Sequence, residues 1–336
     1  MTNFDEFAAS SENARALWYT APGECALRAA KLPGLEGDMV LVRTLATGVS
    51  RGTERLVCRG NVPQAEWQRM RAPFQEGHFP FPVKYGYAAA GIVEAGPDEF
   101  LGSSVFCLFP HQSVFTVSAG HLVRIPSGIP LERAVLAASM ETALNALWDG
   151  MPSPGDHICV VGGGVVGLLT AWLAARIPAT RVTLVDVNPA RREMAEALGC
   201  AFSLPENVPQ NLPHNQDLVF HTSATAAGLQ SALSAAGDGA TVIEMSWYGD
   251  APVPALLGSD FHSRRLVLKS SQVGRIRAER RDRWSFKRRL ETAMSLLADP
   301  VLDRLITHRI PFDSAPERLP ALFDDPDALA AVLTYE

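Results

Sequence analysis

His157-Ile158-Cys159-Val160-Val161-Gly162-Gly163-Gly164-Val165-Val166-Gly167 is an apolar run that ends on a Gly-x-Gly-x-x-Gly turn. The run Ile158–Val161 reads as a buried strand, and Val165–Ile177 as the helix that follows it. Each spacing in the turn has a physical reason. Gly162 makes the tight bend, and Gly164 lets a pyrophosphate approach the backbone. Gly167 lets the helix pack on the strand, while Val165 and Val166 open a helix whose N-terminus faces an anion. In a chain with 26 glycines the pattern alone is weak, but Asp186 closes the next apolar run 19 positions after Gly167. An acid about 20 residues on is what binds the hydroxyls of an adenosine ribose. A carboxylate there repels a 2′-phosphate, which favours NAD over NADP, although Arg191 and Arg192 follow closely and soften the repulsion. A tight strand–helix turn without a ligand is the plain alternative.

Outward from this turn the texture is one of alternation. Val182–Val185, Leu218–Phe220, Thr241–Met245 and Leu266–Leu268 are short apolar runs of the kind that a parallel sheet buries on both faces. Helical patterns over Pro189–Leu198 and Ala226–Ala236 fill the gaps, and a further one covers Trp284–Leu297. That is the signature of a doubly wound, Rossmann-type domain. The first ~125 residues read differently, as short alternating strands such as Met39–Thr44 and Gly91–Ala95 between Gly and Pro turns. Glu66–Val83 reads as a packed loop, and Leu131–Asp149 as a helix stopped by Gly150. The expected fold class is α/β, with a β-rich domain over 1–130 and 301–336 and a dinucleotide domain over 131–300.

The chain has 336 residues, 47 % apolar and 20 % charged, with 36 acids against 30 bases and a net charge of −6. That length suits two domains, and the composition excludes disorder. An acidic chain repels phosphate backbones, so no nucleic-acid partner is expected. The five cysteines are scattered and form no Cys-x-x-Cys pair, so neither a disulfide framework nor a cysteine-built zinc lobe is expected. Ile158–Ala175 is eighteen residues without a charge, but it carries four glycines and divides into strand, turn and helix. No membrane span is expected, and the acidic start Met1–Phe7 lacks a signal-peptide pattern; a cytoplasmic location is the expectation.

A β-rich first part, a dinucleotide domain and a short C-terminal return resemble the medium-chain dehydrogenase/reductase family, with its GroES-like catalytic domain. Gly48-Val49-Ser50-Arg51-Gly52-Thr53-Glu54 resembles the Gly-x-Cys-Gly-Thr-Asp turn of its zinc alcohol dehydrogenases. Gly86-Tyr87-Ala88-Ala89-Ala90-Gly91-Ile92-Val93 resembles their Gly-His-Glu-x-x-Gly-x-Val segment. Leu305-Ile306-Thr307-His308 with Pro311-Phe312 resembles the strand that re-enters the catalytic domain. Ser50–Glu54, Arg69–Gly77, Phe79–Tyr87, Phe109–Gln112 and Met140–Ala143 are similar to the bacteriochlorophyllide a dehydrogenase subgroup, which oxidises a hydroxyethyl group on a chlorin ring. The resemblance implies a small-molecule substrate, a homodimer, and a nicotinamide contact from Thr142.

The departures from the family pattern are informative. Its zinc ligands fall here on Ser50 or Arg51, on Tyr87, and near Ala138, none of them a cysteine or histidine. No metal is therefore expected, and another group must manage the carbinol proton. Tyr87 stands at a lost ligand position, with Ser50 expected beside it. His111 is of the residue type that can relay a proton to water, and Glu141 adjoins Thr142. Each has a structural alternative: a core tyrosine, a turn serine, a turn histidine, and a glutamate paired with an arginine. The expected activity is NAD-dependent hydride transfer to or from a secondary alcohol or ketone. The alternatives are an NADPH-dependent enone or quinone reductase, and a dinucleotide-binding sensor or assembly protein without catalysis. Arg264–Arg289, with eleven basic and two acidic residues, reads either as a solvated face or as a lure for an anionic substrate.

Overall fold

The computed structural model describes residues 14–208, 212 and 215–336, and its two compact units divide after Ala138 and after Arg289. One unit holds the described residues up to Ala138 together with Leu290–Glu336; the other is Ser139–Arg289.

The first unit opens with β1 (Arg15–Ala21) and β2 (Glu24–Ala29), followed by the long strand β3 (Met39–Val49) and helix α1 (Arg51–Arg59). Two-residue strands β4 (Glu76–Gly77) and β5 (Val83–Lys84) are set in the Glu66–Val83 segment. Next come β6 (Ala89–Ala95), β7 (Ser104–Cys107), β8 (Val114–Ser118), β9 (Val123–Arg124) and the short helix α2 (Leu131–Ala134). A four-stranded sheet has the order β2-β1-β5-β4. In the second sheet β3 pairs antiparallel with both β6 and β8, and Val40, Val42, Val93 and Phe115 bury their side chains in its core. Gly91 lies so close to β3 that a Cβ would stand 2.1 Å from the Arg43 carbonyl oxygen. The crossing is therefore open only to glycine.

Helix α3 (Ala137–Gly150) leads into the parallel sheet, whose strands are β10 (His157–Val161), β11 (Arg181–Val185), β12 (Ala201–Ser203), β13 (Gln216–His221), β14 (Ala236–Glu244) and β15 (Val267–Ser270). Their order is β12-β11-β10-β13-β14-β15, with every pairing parallel. Helices α4 (Val165–Ala174), α5 (Arg191–Ala197) and α6 (Ala226–Ala235) connect the strands. Cys159, Val160, Val219 and Val242 are wholly buried, as apolar strands covered on both faces must be. The order reverses between β10 and β13, which makes the crevice at their carboxyl ends the ligand position of this architecture. The chain closes with α7 (Phe286–Leu296), β16 (Ile306–Pro311), α8 (Ala315–Leu322) and β17 (Ala330–Thr334), and β17 pairs antiparallel with β3.

The fold is α/β, a GroES-like β-rich unit and a doubly wound parallel sheet. The units divide after Ala138 and after Arg289, inside the expected 131–300 span, and Arg133 falls in the first of them. Its buried guanidinium grips Asp303 with two bonds of 2.7 and 2.6 Å and also donates to the Leu297 and Ala298 carbonyls. That clamp holds α2 in the first unit, and the helix expected over Leu131–Asp149 is broken between α2 and α3. Strand β12 carried no clear apolar run and was not expected. Among the described residues no helix is long and apolar enough to cross a membrane.

Candidate active site and dinucleotide cradle

In the parallel-sheet unit the glycine turn has the geometry its spacing requires. Gly162 has a φ of 113°, and a Cβ there would meet Thr222 Oγ1 at 2.6 Å and the Ser223 nitrogen at 2.7 Å. A Cβ on Gly167 would lie 1.9 Å from the Gly162 carbonyl oxygen, so the helix touches the strand through bare backbone. Gly164, which caps α4, is the opposite case, with nothing within 4 Å of its Cβ position. Two glycines serve packing and one keeps a space clear before a helix N-terminus. Asp186, at the end of β11, accepts from the Gly163 N–H at 2.5 Å and from the Asn188 N–H at 2.8 Å. Arg191 is buried, its Cγ 3.2 Å from where a Gly163 Cβ would be. An open cradle at the N-terminus of α4 and an acid beside the turn fit a dinucleotide.

Glu141 and Thr142 lie on α3. Glu141 is buried and takes a bond of 2.9 Å from Arg289 Nε, while Arg289 Nη1 donates to Asn145. Burial raises the Glu141 pKa, and the Arg289 charge opposes that rise. The arrangement is the arginine pairing expected of a structural glutamate. Arg289 thus leaves the basic stretch for the interior. Nearer the surface, the Arg288 and Arg280 guanidiniums stack on Trp284 and Trp148, at 4.0 and 4.6 Å from the ring centres.

In the β-rich unit Ser50, Tyr87 and His111 sit in one polar cluster. Ser50 is the N-cap of α1, and the partly buried Tyr87 phenol donates to its hydroxyl over 2.6 Å. Burial raises the Tyr87 pKa, and the hydroxyls of Ser50 and Thr53 hold it back. Gly86, with a φ of 113°, presents bare backbone to the His111 ring; a Cβ would meet its Cδ2 at 2.8 Å. Lys84, a cation that could have lowered the Tyr87 pKa, instead donates to Glu76 and, at 2.9 Å, to Gln112.

His111 is wholly buried, which corrects the expectation that it relays a proton to water. Its Nε2 meets Glu54 Oε2 at 2.9 Å and its Nδ1 meets Thr47 Oγ1 at 2.7 Å. Thr47 in turn bonds the Tyr335 hydroxyl at 3.0 Å. Glu54, also wholly buried, accepts from the Tyr19 hydroxyl at 2.6 Å and from the Ser50 N–H at 2.7 Å. Burial works against the Glu54 carboxylate, but His111, Tyr19 and the Ser50 N–H together hold its pKa below the usual range. Glu54 is therefore the hub that sequence reasoning missed. The available signal was a glutamate one turn into a helix opened by Ser50, within reach of that residue's N–H.

By the resemblance, the family's metal-ligand positions fall on Ser50 or Arg51, on Tyr87 and near Ala138, and the Ser50 and Tyr87 hydroxyls are bonded to each other. Among the described residues no three His, Cys, Asp or Glu side chains gather in a metal-holding arrangement. The residues present do not fit the three-ligand zinc site of that family.

Comparison with known proteins agrees with this architecture. A family model for the alanine dehydrogenase/PNT C-terminal domain matches residues 139–234. D-guloside 3-dehydrogenase of Escherichia coli K12 is 26% identical over 326 residues, covering 89% of this chain and 93% of the relative. A Sinorhizobium meliloti 1021 protein described as a zinc-binding dehydrogenase, bound to NADP, superposes with a TM-score of 0.76 at 20% identity, over 96% of this chain and 99% of that one. An alcohol dehydrogenase of Escherichia coli CFT073 complexed with NADH gives 0.72 at 16% identity, over the same 96% and 99%. Over most of its length the chain is similar in sequence to D-guloside 3-dehydrogenase, and in fold it is similar to the solved dehydrogenases named above.

Proposed function

We propose that this chain transfers hydride between NAD and a secondary alcohol or its ketone, and does so without a catalytic zinc. The observation that carries the reading is the glycine turn at the carboxyl end of β10, open at Gly164 and flanked by Asp186. A nicotinamide dinucleotide bound there supplies the hydride acceptor or donor. Asp186 takes the adenosine ribose hydroxyls, and the N–H groups at the start of α4, from Val165 and Val166, face the pyrophosphate. Arg191 lines the same turn, and Thr142 serves the nicotinamide end.

Proton management falls to Tyr87 and Ser50. With its pKa raised by burial, the Tyr87 phenol stays protonated at neutral pH and acts as a hydrogen-bond donor. It gives that bond to Ser50 Oγ, so the Ser50 O–H is the one left to meet a substrate oxygen. In reduction the Ser50 O–H donates a hydrogen bond to the oxygen on which charge develops, Tyr87 orients that hydroxyl and keeps its own proton, and solvent water supplies the proton that completes the alcohol; in oxidation that proton returns to water. Glu54 and His111 hold the N-terminus of α1, and with it Ser50, in place. A carbinol on a conjugated ring suits a site without a metal, because charge left at that carbon is delocalised. A ring hydroxyl of a glycoside is the other candidate, since the relative named above is a D-guloside 3-dehydrogenase. A homodimer is expected.

The test is cofactor turnover by purified protein, with and without chelator, on aryl carbinols, glycosides, polyols and enones. Chelator-resistant NADH turnover of a ketone or alcohol supports the reading. One tightly held zinc per chain by elemental analysis overturns the zinc-free part. Turnover of enones alone, with NADPH, moves the chain to the reductases.

A further inference from the structure

Between β15 and α7 the chain winds through Arg277, Arg280 and Arg283, three arginines at a spacing of three. The Arg280 N–H donates to the Arg277 carbonyl at 3.1 Å, and the Arg283 N–H to the Arg280 carbonyl at 3.0 Å. Turns closed by such bonds nearly eclipse residues three apart, so the spacing crowds like charges together. Burial, and then the charges of Arg277 and Arg283, hold the Arg280 pKa below its ordinary value.

Two tryptophans fix the cluster. Trp148 on α3 and Trp284 lie 4.7 Å apart between ring centres. The Arg280 guanidinium sits over both rings, at 4.6 and 5.9 Å, and Arg288 sits over Trp284 at 4.0 Å. Arg277 donates to the Trp148 carbonyl and pairs with Glu279 at 2.9 Å. Glu279 and Asp282 are the acids of this segment. Among the described residues neither of them pairs with Arg280 or Arg283, and Arg283 is exposed. A guanidinium laid on an indole is held by its face and keeps its edge donors for a planar or tetrahedral oxyanion.

We propose that Arg280 and Arg283, set on the Trp148–Trp284 pair, form an anion site for a small molecule that carries at least two carboxylate or phosphate groups. Arginine gives forked, charge-assisted bonds to either group. Two charges are needed because a single exposed ion pair is worth little. The limit on size comes from the remainder of the chain, which is more acidic than the whole and repels an extended polyanion. The site is separate from the dinucleotide cradle. Its segment leaves the carboxyl end of β15, three strands or roughly 14 Å from β10. Its occupancy therefore does not depend on what the glycine turn holds.

The experiment titrates the full chain with citrate in one arm and pyrophosphate in the other, following tryptophan fluorescence with and without added NAD. Saturable binding of either probe, retained in the presence of NAD, is expected, and the tighter probe names the preferred group. Arg283→Gln should weaken that binding about three- to tenfold, and adding Arg280→Gln should abolish saturation. Arg280→Lys keeps the charge but loses the fork, and should fall between wild type and Arg280→Gln. Arg318→Gln removes an exposed charge from the other unit and should change nothing. A response that never saturates, an equal loss in Arg318→Gln, unchanged binding in Arg283→Gln, or displacement of the probe by NAD overturns the proposal.

Discussion

The Tyr87 phenol donates to the Ser50 hydroxyl over 2.6 Å, across 37 residues of chain. If Tyr87 orients the Ser50 hydroxyl toward the reacting oxygen, substituting either residue should slow the chemical step. Tyr87→Phe should slow turnover by ~10²-fold or more with cofactor affinity nearly unchanged, and Ser50→Ala should slow it at least as much. Steady-state kinetics beside NADH titration checks this. Wild-type turnover in Tyr87→Phe would make that residue a packing tyrosine.

Glu54 anchors the cluster beneath that pair. Removing the shared acceptor of a buried hydrogen-bond cluster leaves its donors unsatisfied, at about 1–3 kcal/mol each, so Glu54→Ala should lose at least that much in urea unfolding. The carboxylate's pKa is depressed in the folded chain despite its burial. Its stabilising contribution is therefore fully present above the unfolded value of ~4.3 and is lost as pH falls through the lower folded value. Glu54→Gln should be less acid-sensitive between those two points than the wild type, as acid unfolding curves will show.

Gly164 and Gly167 stand three residues apart and should respond in opposite ways. Gly167→Ala puts a methyl group 1.9 Å from backbone that cannot swing aside, so it should lower the melting temperature or prevent folding. Gly164→Ala meets nothing within 4 Å, so it should keep the wild-type melting curve and lose dinucleotide affinity. If Gly164→Ala binds NADH like wild type, the cradle does not hold the pyrophosphate.

Asp186 should make NADH bind more tightly than NADPH by ~1–3 kcal/mol, the usual range for a buried polar mismatch. Asp186→Ser should narrow that gap, mainly by improving NADPH. Fluorescence titration with both reduced cofactors decides it. A wild-type preference for NADPH would hand control of the site to Arg191 or Arg192.

Local patterns in this sequence translated well into structure, and long-range pairings did not. The glycine turn, the apolar strands of the parallel sheet and the position of Asp186 are short-range features, each fixed by backbone sterics within a few residues. The Ser50–Tyr87 contact was reachable by laying two segments over the resembled family's ligand positions. The Glu54–His111 bond joins a helix to a loop 57 residues later, and no periodicity encodes such a meeting. His221 and Glu244 were harder still, because their pairing follows from the register of two parallel strands. The Arg133–Asp303 bond spans 170 residues, and no local pattern announces it.

Strand β3 acquires one of its neighbours very late. Val49 pairs with Ala331, and Ala46 with Thr334. During synthesis β3 leaves the ribosome early and keeps that edge bare while the whole parallel sheet is made behind it. Unpaired edges recruit other chains, so the nascent protein passes through a period in which its first unit is open and its second, continuous in sequence, is ready to close. Truncation before β17 should accordingly show itself as aggregation, in molecules whose dinucleotide-type sheet has already formed.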